Sequence, residues 1–407
     1  MTGNTLITPD VIAAETLFNL ENNCVMAANV HRGYVKEFVK VGSAVRIAKP
    51  NKFLAVNGRT RQQQDITEGT VNLTVDQQEH VSWAWSQVDR TLIVKEFSER
   101  YAKPAGIALG NAVDEYLNSL YYEFYLSGGT PGTTPQSFAV LGDMATILDD
   151  GAVPDDGQRK LVLNPKARWN MADALKGSFD KDMPREMMRK GLLKELAGFQ
   201  IYGDQNVARH TTGAATGDGV LIDQATAASR NSNTSPQANS MIMHMDGFDA
   251  DTANALRKGD VFTIAGVNSV NPVSKVNSGN LMQFTVLADF TPSSNEGDVT
   301  IAPAIVTTGP YQNCSAAPAD DAACTFLGAE ATAYPQNLAY HKNAIALACV
   351  PIELPDSASF KASASKDGLN IAVIKDFDID NYEDIIRMDI LFAGKVIYPD
   401  LGSRLWG

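Results

Sequence analysis

Cysteine is scarce in this chain: four residues in 407, namely Cys24, Cys314, Cys324 and Cys349. No two form a C-x-x-C pair, so neither a zinc knuckle nor a dithiol redox motif is supported. Four scattered thiols fit a protein made in a reducing cytosol. Cys314 and Cys324 can pair only if the geometry allows it, and free thiols are the simpler expectation. Histidine is nearly as rare. His31, His80, His210, His244 and His341 never fall three or four residues apart, which excludes paired ligands on one helix face. Hydrogen-bonding or surface roles are expected for them, with no metal and no cofactor. Positive charge is also in deficit. Thirty-four Lys and Arg against 47 Asp and Glu leave a net charge of −13. A nucleic-acid binder shows a basic balance or a basic stripe, and this sequence has neither. The polar start, Met1 to Asp10, lacks the basic n-region and apolar core of a secretory signal. No apolar run approaches the ~20 residues that span a bilayer, so no membrane association is expected.

Catalytic motifs are missing as well. The sequence contains no H-E-x-x-H, no Walker loop and no G-x-S-x-G elbow. Gly213 to Gly219 holds three glycines at the wrong spacing for a dinucleotide loop and reads as a linker. Asp376-x-Asp378-x-Asp380 resembles the start of a calcium loop. An EF-hand then requires Gly at its sixth position and Glu at its twelfth, where Asn381 and Arg387 stand. The run reads instead as a strand whose solvent face carries Asp, with Phe377 and Ile379 inward. Ser363-x-x-Lys366 lacks its companion motifs. The Tyr121, Tyr122 and Tyr125 patch reads as core or interface.

What is present is a chain long enough for two or three units. It is 44% hydrophobic, enough to bury a core. Val11, Ala14, Leu17, Phe18 and Leu20 recur at helical spacing, with Thr8 as cap and Pro9 in the first turn. The period then changes. Val45 and Ile47, then Val71, Leu73 and Val75, alternate with polar residues and read as strands. Between them lie Asn57-Gly58, a strong turn signal, and the basic Arg59 and Arg61. The simplest structure is a long two-stranded excursion with a polar tip. Such an arm is marginal alone in water, so it needs a surface to lie on, and its tip at Asn57, Arg59 and Arg61 reads as a solvated turn or as a contact with a neighbouring subunit rather than with nucleic acid.

The strongest helical pattern runs over 96–126, restarted or kinked at Pro104. From Pro104 to Leu126 it would extend about 35 Å before Gly128-Gly129 ends it. Further elements follow: a helix near Gln136–Asp149, a strand at Arg159–Leu163, a helix at Pro165–Leu175 capped by Asn164, and a strand toward Tyr202. Past Arg209 the composition turns rich in Ser, Thr, Asn, Ala and Gly. Short β runs begin at Val261, Phe284 and Val299, with turns at Gly259-Asp260 and Gly297-Asp298. This reads as a small all-β barrel inserted into an α+β parent. The parent resumes after Ala331 with an apolar run at Ala344–Val350 and strands at Leu369–Ile374 and Ile385–Ile397.

Several stretches carry a family resemblance in wording as well as order. They are Asp65-Ile66-Thr67-Glu68, Phe97-Ser98-Glu99-Arg100 with Pro104, Gly129-Thr130-Pro131-Gly132-Thr133, Arg209-His210-Thr211-Thr212-Gly213, the run Lys258 to Val267, and Arg387 to Pro399 with Arg404. Together the chain resembles the coat proteins of tailed phages with the Hong Kong 97-type fold, and among them the P22-type family. The resemblance implies an α+β fold with an N-terminal arm over 1–43 and an extended β loop over 44–94. A spine helix and peripheral domain would cover 95–212, an inserted β-barrel domain 213–331, and an axial domain with C-terminal strands 332–407. It further implies a non-enzymatic major capsid protein whose main partner is itself, in the hexamers and pentamers of an icosahedral shell. Scaffolding and portal proteins would join it in the host bacterial cytoplasm. Double-stranded DNA would be enclosed without sequence-specific binding. Closed shells require heterologous contacts that repeat and close, and a long arm laid over a neighbour supplies one. Two other readings compete: a secreted or surface β-rich binding module, and an acidic cytosolic hydrolase using Asp378 or Asp380.

Overall fold

A computed structural model of the chain describes residues 9–34, 44–61, 63–64, 66, 68–86, 98–175, 195–215, 219–223, 239–358 and 360–407. Among these, the helices are α1 (Pro9–Asn23), α2 (Lys103–Ser119), α3 (Phe138–Asp150) and α4 (Pro165–Leu175). The strands of the first half are β1 (Ala44–Ala48), β2 (Thr70–Thr74), β3 (Gln77–Ser86), β4 (Leu126–Gly128), β5 (Arg159–Leu163), β6 (Glu195–Leu196), β7 (Phe199–Gly203) and β8 (Arg209–Thr211). Then come β9 (Leu221–Ile222), β10 (Met241–Asp246), β11 (Val261–Val270), β12 (Asn277–Val286), β13 (Gly297–Ala302) and β14 (Ala322–Phe326). The last are β15 (Ala333–His341), β16 (Ile345–Cys349), β17 (Phe360–Lys366), β18 (Leu369–Asp378), β19 (Glu383–Val396) and β20 (Gly402–Trp406). Two compact units result. The first draws on 1–47, 72–117 and 345–395, the second on 48–71, 118–344 and 396–407.

The first unit is built on a five-stranded antiparallel sheet. Its order is β16-β19-β18-β17, with β3 also paired along β19 from Gln77 opposite Phe392 to Ser86 opposite Glu383. All five residues of β16 and the first five of β18 are buried, because both faces are covered there. Helix α1 packs on β17 and β18. It also meets α2 where two glycines permit close approach. A Cβ on Gly106 would stand 2.7 Å from the Thr16 carbonyl, and one on Gly110 would stand 3.2 Å from that of Leu20. The buried Asp114 carboxylate accepts from the N–H groups of Val25 (2.6 Å) and Ala27 (3.1 Å) and so fixes the chain as it leaves α1. His31 then adds to the edge of β16, its N–H donating to the Ile345 carbonyl at 3.0 Å.

The second unit holds a sheet of order β4-β20-β15-β5-β7-β6, with β8 also on β15. Helices α3 and α4 cover it over Leu141, Met144, Leu148, Leu161, Met171 and Phe199. Both helix starts are capped by side chains. Ser137 accepts from Val140 N–H (3.4 Å), and Asn164 accepts from Ala167 N–H (2.7 Å) as the sequence predicts. Strands β10-β13-β12-β11-β14-β9 close a barrel around Phe262, Phe284, Met243 and Val299. The chain crosses into and out of the barrel side by side. Thr211 pairs with Ala333, and Thr212 N–H donates to the Thr332 carbonyl at 3.1 Å.

Several expectations need correction. The 96–126 helix stops at Ser119. Leu120–Glu123 tightens into a 3-10 turn, and 126–128 leave as β4, parallel to β20. There the Gln283 side chain clasps Ser127, accepting from its N–H at 2.5 Å and donating to its carbonyl at 3.0 Å. A helix continued through Leu126 would forfeit these sheet bonds. Pro104 does stand in the first turn of α2, after a π-type turn at Ser98–Ala102. The excursion is not a long ladder: β1 and β2 pair over five residues each, and 49–69 contain no strand among the described residues. Gly297-Asp298 lies inside β13, and the turn before it is at Ser293–Glu296. Thr8 and Phe97 fall outside the described residues.

Candidate assembly surface

The excursion rises from β1 and β2, whose inward residues Val45, Ile47, Val71 and Leu73 are buried while their neighbours are exposed. Its root is held by polar bonds. Lys49 N–H donates to the Gly69 carbonyl at 2.8 Å, and the Lys49 ammonium contacts the Asn239 side chain. Tyr311 of the barrel domain accepts from Lys52 N–H at 3.2 Å and donates to Asn51 at 3.1 Å. Farther out, the Gln64 amide brackets Leu54, accepting from its N–H and donating to its carbonyl. Gly58 has φ +128, a conformation that L side chains avoid. Asn57, Arg59 and Arg61 therefore stand together on one short exposed turn. Among the described residues neither guanidinium has a carboxylate partner. Three large apolar side chains on the same excursion face solvent: Phe53 is 62% exposed, Val56 46% and Ile66 66%. Sequence reading marked the arginines but missed this apolar set, which shows no period.

The Asp376 run behaves differently from expectation. Phe377 is 39% exposed and Ile379 79%, so neither points inward. The strand ends at Asp378, whose carboxylate accepts from Asp380 N–H (2.9 Å) and the Asn381 amide (2.8 Å). The Asn381 bond and then the backbone bonds hold Asp378 below the usual carboxylate range. The group caps a turn. All four cysteines are free and buried. Burial pushes the thiols of Cys314, Cys324 and Cys349 up to about 12, so they are poor nucleophiles.

The histidines gather carboxylates. Three are buried rather than on the surface: His210, His244 and His341. His210 Nε2 lies 2.8 Å from Asp260 Oδ1, and its Nδ1 lies 3.1 Å from the Tyr121 hydroxyl. Asp260 also accepts from Gly213 N–H (3.1 Å) and Arg257 N–H (2.7 Å). Beside them the buried Arg404 donates to the Gly259 carbonyl (2.6 Å) and Thr285 Oγ1 (3.0 Å), and burial lowers its pKa to about 10. An Asp–His–Tyr row can serve proton transfer in an open cleft. Here Asp260 is 1% and His210 2% exposed, and the row fastens the root of the barrel to the sheet. His341 Nε2 meets Asp156 at 3.1 Å. His244 sits on β10 with Asp298 opposite at 2.7 Å, and Asp223 and Glu296 stand nearby. Spacing along the chain concealed this last cluster, because barrel closure, not helix period, brings 223, 244 and 296 together.

The family model described as P22 coat protein, gene protein 5, matches residues 1–407. A protein described as a major capsid protein, from Acyrthosiphon pisum secondary endosymbiont phage 1, is 21% identical over 338 residues, which is 80% of this chain and 79% of the relative. Among solved structures, one from Mycobacterium phage Che8 aligns with TM-score 0.48 and 16% identity over 94% of this chain and 90% of its own. A capsid structure of the cyanophage P-SCSP1u aligns with TM-score 0.44 and 11% identity over 90% of this chain and 84% of its own.

Proposed function

This chain belongs to the P22 coat protein family and is a major capsid protein of a tailed phage, and we propose that its 49–69 excursion is the arm by which each copy grips the next. The carrying observation is the excursion's surface. Phe53, Val56 and Ile66 are exposed on the same excursion as Arg59 and Arg61, which have no carboxylate partner among the described residues. Exposed apolar groups rimmed by charge mark interaction sites, and an arm this thin gains stability by lying on another surface. The partner surface is the chain itself. At −13, each copy offers acidic ground for two arginines on its neighbour.

Repeated around closed rings, this heterologous contact builds the hexamers and pentamers of an icosahedral shell. In the same reading 1–43 serve as N-terminal arm, 44–94 as extended loop, 95–212 as spine and peripheral domain, 213–331 as inserted barrel and 332–407 as axial domain. A scaffolding protein guides assembly in the host cytoplasm, a portal occupies one vertex, and the acidic subunit encloses DNA without gripping it. The family assignment takes the place of the β-rich binding module as the reading of the whole chain.

The test is electron microscopy of shells made by co-expressing the chain with its scaffold. The double variant Arg59→Asp/Arg61→Asp should leave a folded, soluble subunit that forms few or no closed shells. Shells of normal yield and regularity from that variant would remove the arm tip from the assembly contact.

A further inference from the structure

We propose that Asn57 is a self-modification site: in the unassembled subunit the Gly58 backbone nitrogen attacks its side-chain amide, converts it to a carboxylate and so disarms the tip of the excursion. The effect on assembly rests on the reading of 49–69 as the arm between copies; the chemistry does not.

Asn57-Gly58 is the only Asn-Gly pair in the 407 residues. The attack requires the nitrogen of the following residue to reach the Asn Cγ, and a glycine brings no Cβ to obstruct it. The surroundings are open. Both residues are exposed, and a Cβ built on Gly58 would find no atom within 4 Å. Gly58 also holds φ +128. Among the described residues, neither the Asn57 side chain nor the Gly58 N–H is held by a hydrogen bond, and no strand or helix fixes the backbone over 49–69. Arg59 and Arg61 follow directly in the chain, and positive charge nearby favours loss of the amide proton. Asn268-Ser269 and Asn277-Ser278 also have small residues after the Asn, but they lie in β11 and β12. Asn277 Oδ1 in addition accepts from Gly279 N–H at 2.8 Å.

The steps balance without an oxidant or reductant. The Gly58 amide gives its proton to hydroxide, and its nitrogen forms a bond to Asn57 Cγ. The Cγ–Nδ2 bond breaks, and Nδ2 takes a proton from water and leaves as ammonia. Water then opens the resulting imide ring at either carbonyl. One product is aspartate. The other is isoaspartate, in which the main chain runs through the former side chain and gains one carbon. Both carry a new carboxylate. The two positive charges of Arg59 and Arg61 are then offset by one negative charge, and the attraction to an acidic neighbour falls. Docking holds the backbone and keeps the nitrogen from its target. A free arm therefore has a limited lifetime, which assembly extends.

The experiment incubates the soluble full-length subunit at pH 8 and 37 °C for days. Brief trypsin digestion at lower pH then releases the peptide 53–59 for chromatography and mass spectrometry. That peptide should gain the mass of an amide-to-acid exchange and split into two products. Its rate should exceed those at Asn268 and Asn277 about tenfold, since only Asn57 precedes a residue without a Cβ, and should rise with pH. Asn57→Gln should show no such change and form shells normally. In assembled shells the rate at Asn57 should drop several-fold, and Asn57→Asp subunits should form fewer shells than native ones. An Asn57 no faster than the two barrel asparagines would overturn the modification and leave the arm reading intact. Native shell yield from Asn57→Asp would overturn the disarming. Normal shells from Arg59→Asp/Arg61→Asp would instead remove the arm reading, with the chemistry at Asn57 unaffected.

Discussion

Asp114, Arg404 and the His210–Asp260 pair show how this protein treats charge it cannot leave in water. Each is buried and each meets polar partners in place of solvent, though among the described residues the Nε of Arg404 meets none. Burial without partners costs several kcal/mol per charge, so these groups tolerate little change. The thiols follow the opposite rule, because burial holds them neutral. In the folded chain Cys314, Cys324 and Cys349 keep their protons up to about pH 12, against an ordinary value of 9.0. Between those limits the unfolded chain has lost protons that the folded chain retains, so ionisation favours unfolding. Stability from this source is complete below about pH 9 and falls above it by roughly 1.4 kcal/mol per pH unit for each thiol. Urea midpoints measured from pH 8 to 10.5 should decline, and the Cys314→Ala/Cys324→Ala/Cys349→Ala variant should decline less steeply. Equal slopes would place the alkaline sensitivity elsewhere. Residues whose roles are local were readable in sequence: Asn164 caps its helix three residues away. Asp114 and Arg404 were not, because their partners lie 87 and 145 residues distant.

At the scale of elements, the contact between α1 and α2 rests on the absence of side chains. Gly106→Ala would gain about 1 kcal/mol in helix propensity. The new methyl group, however, would stand 2.7 Å from the Thr16 carbonyl, a backbone atom that cannot swing away. Overpacking of this kind costs about 1–3 kcal/mol, so the substitution should destabilise on balance. Gly142 in α3 is the control. A Cβ there meets nothing within 4 Å, and Gly142→Ala should stabilise by about 0.5–1 kcal/mol. Urea unfolding of the two variants should therefore shift in opposite directions; a shared sign would refute the packing account of Gly106. Element type was legible wherever period and caps agreed, as in β5 and α4, whose limits match the sequence reading. It failed where a distant strand competed for the backbone. The apolar period of α2 continues past Ser119, but β20 and Gln283 claim residues 126–128. The alternation around Phe377 suggested an inward face that the turn at Asp378 never supplies.

For the whole molecule, the sequence order of helix, excursion, helix, mixed body, β insertion and β return is the order observed. What it did not disclose is which strands meet. Barrel closure through the two-residue β9, and the crossing of β4 and β20 into one sheet, depend on contacts between distant segments. The ends of the insertion give a test at this scale. Replacing 213–331 by a short linker should leave β8 on β15, since Thr211 and Ala333 are already paired. The expected loss lies in folding yield and shell regularity, read by soluble fraction and electron microscopy. Normal shells in normal yield would make the barrel dispensable. That same pairing has a historical consequence. Where two adjacent strands already touch, genetic material can be spliced between their codons, or lost again, without disturbing the ancestral sheet. A lineage can thus acquire the barrel in a single recombination event, and relatives bridging Thr212 and Thr332 by only a few residues are the descendants such a history predicts.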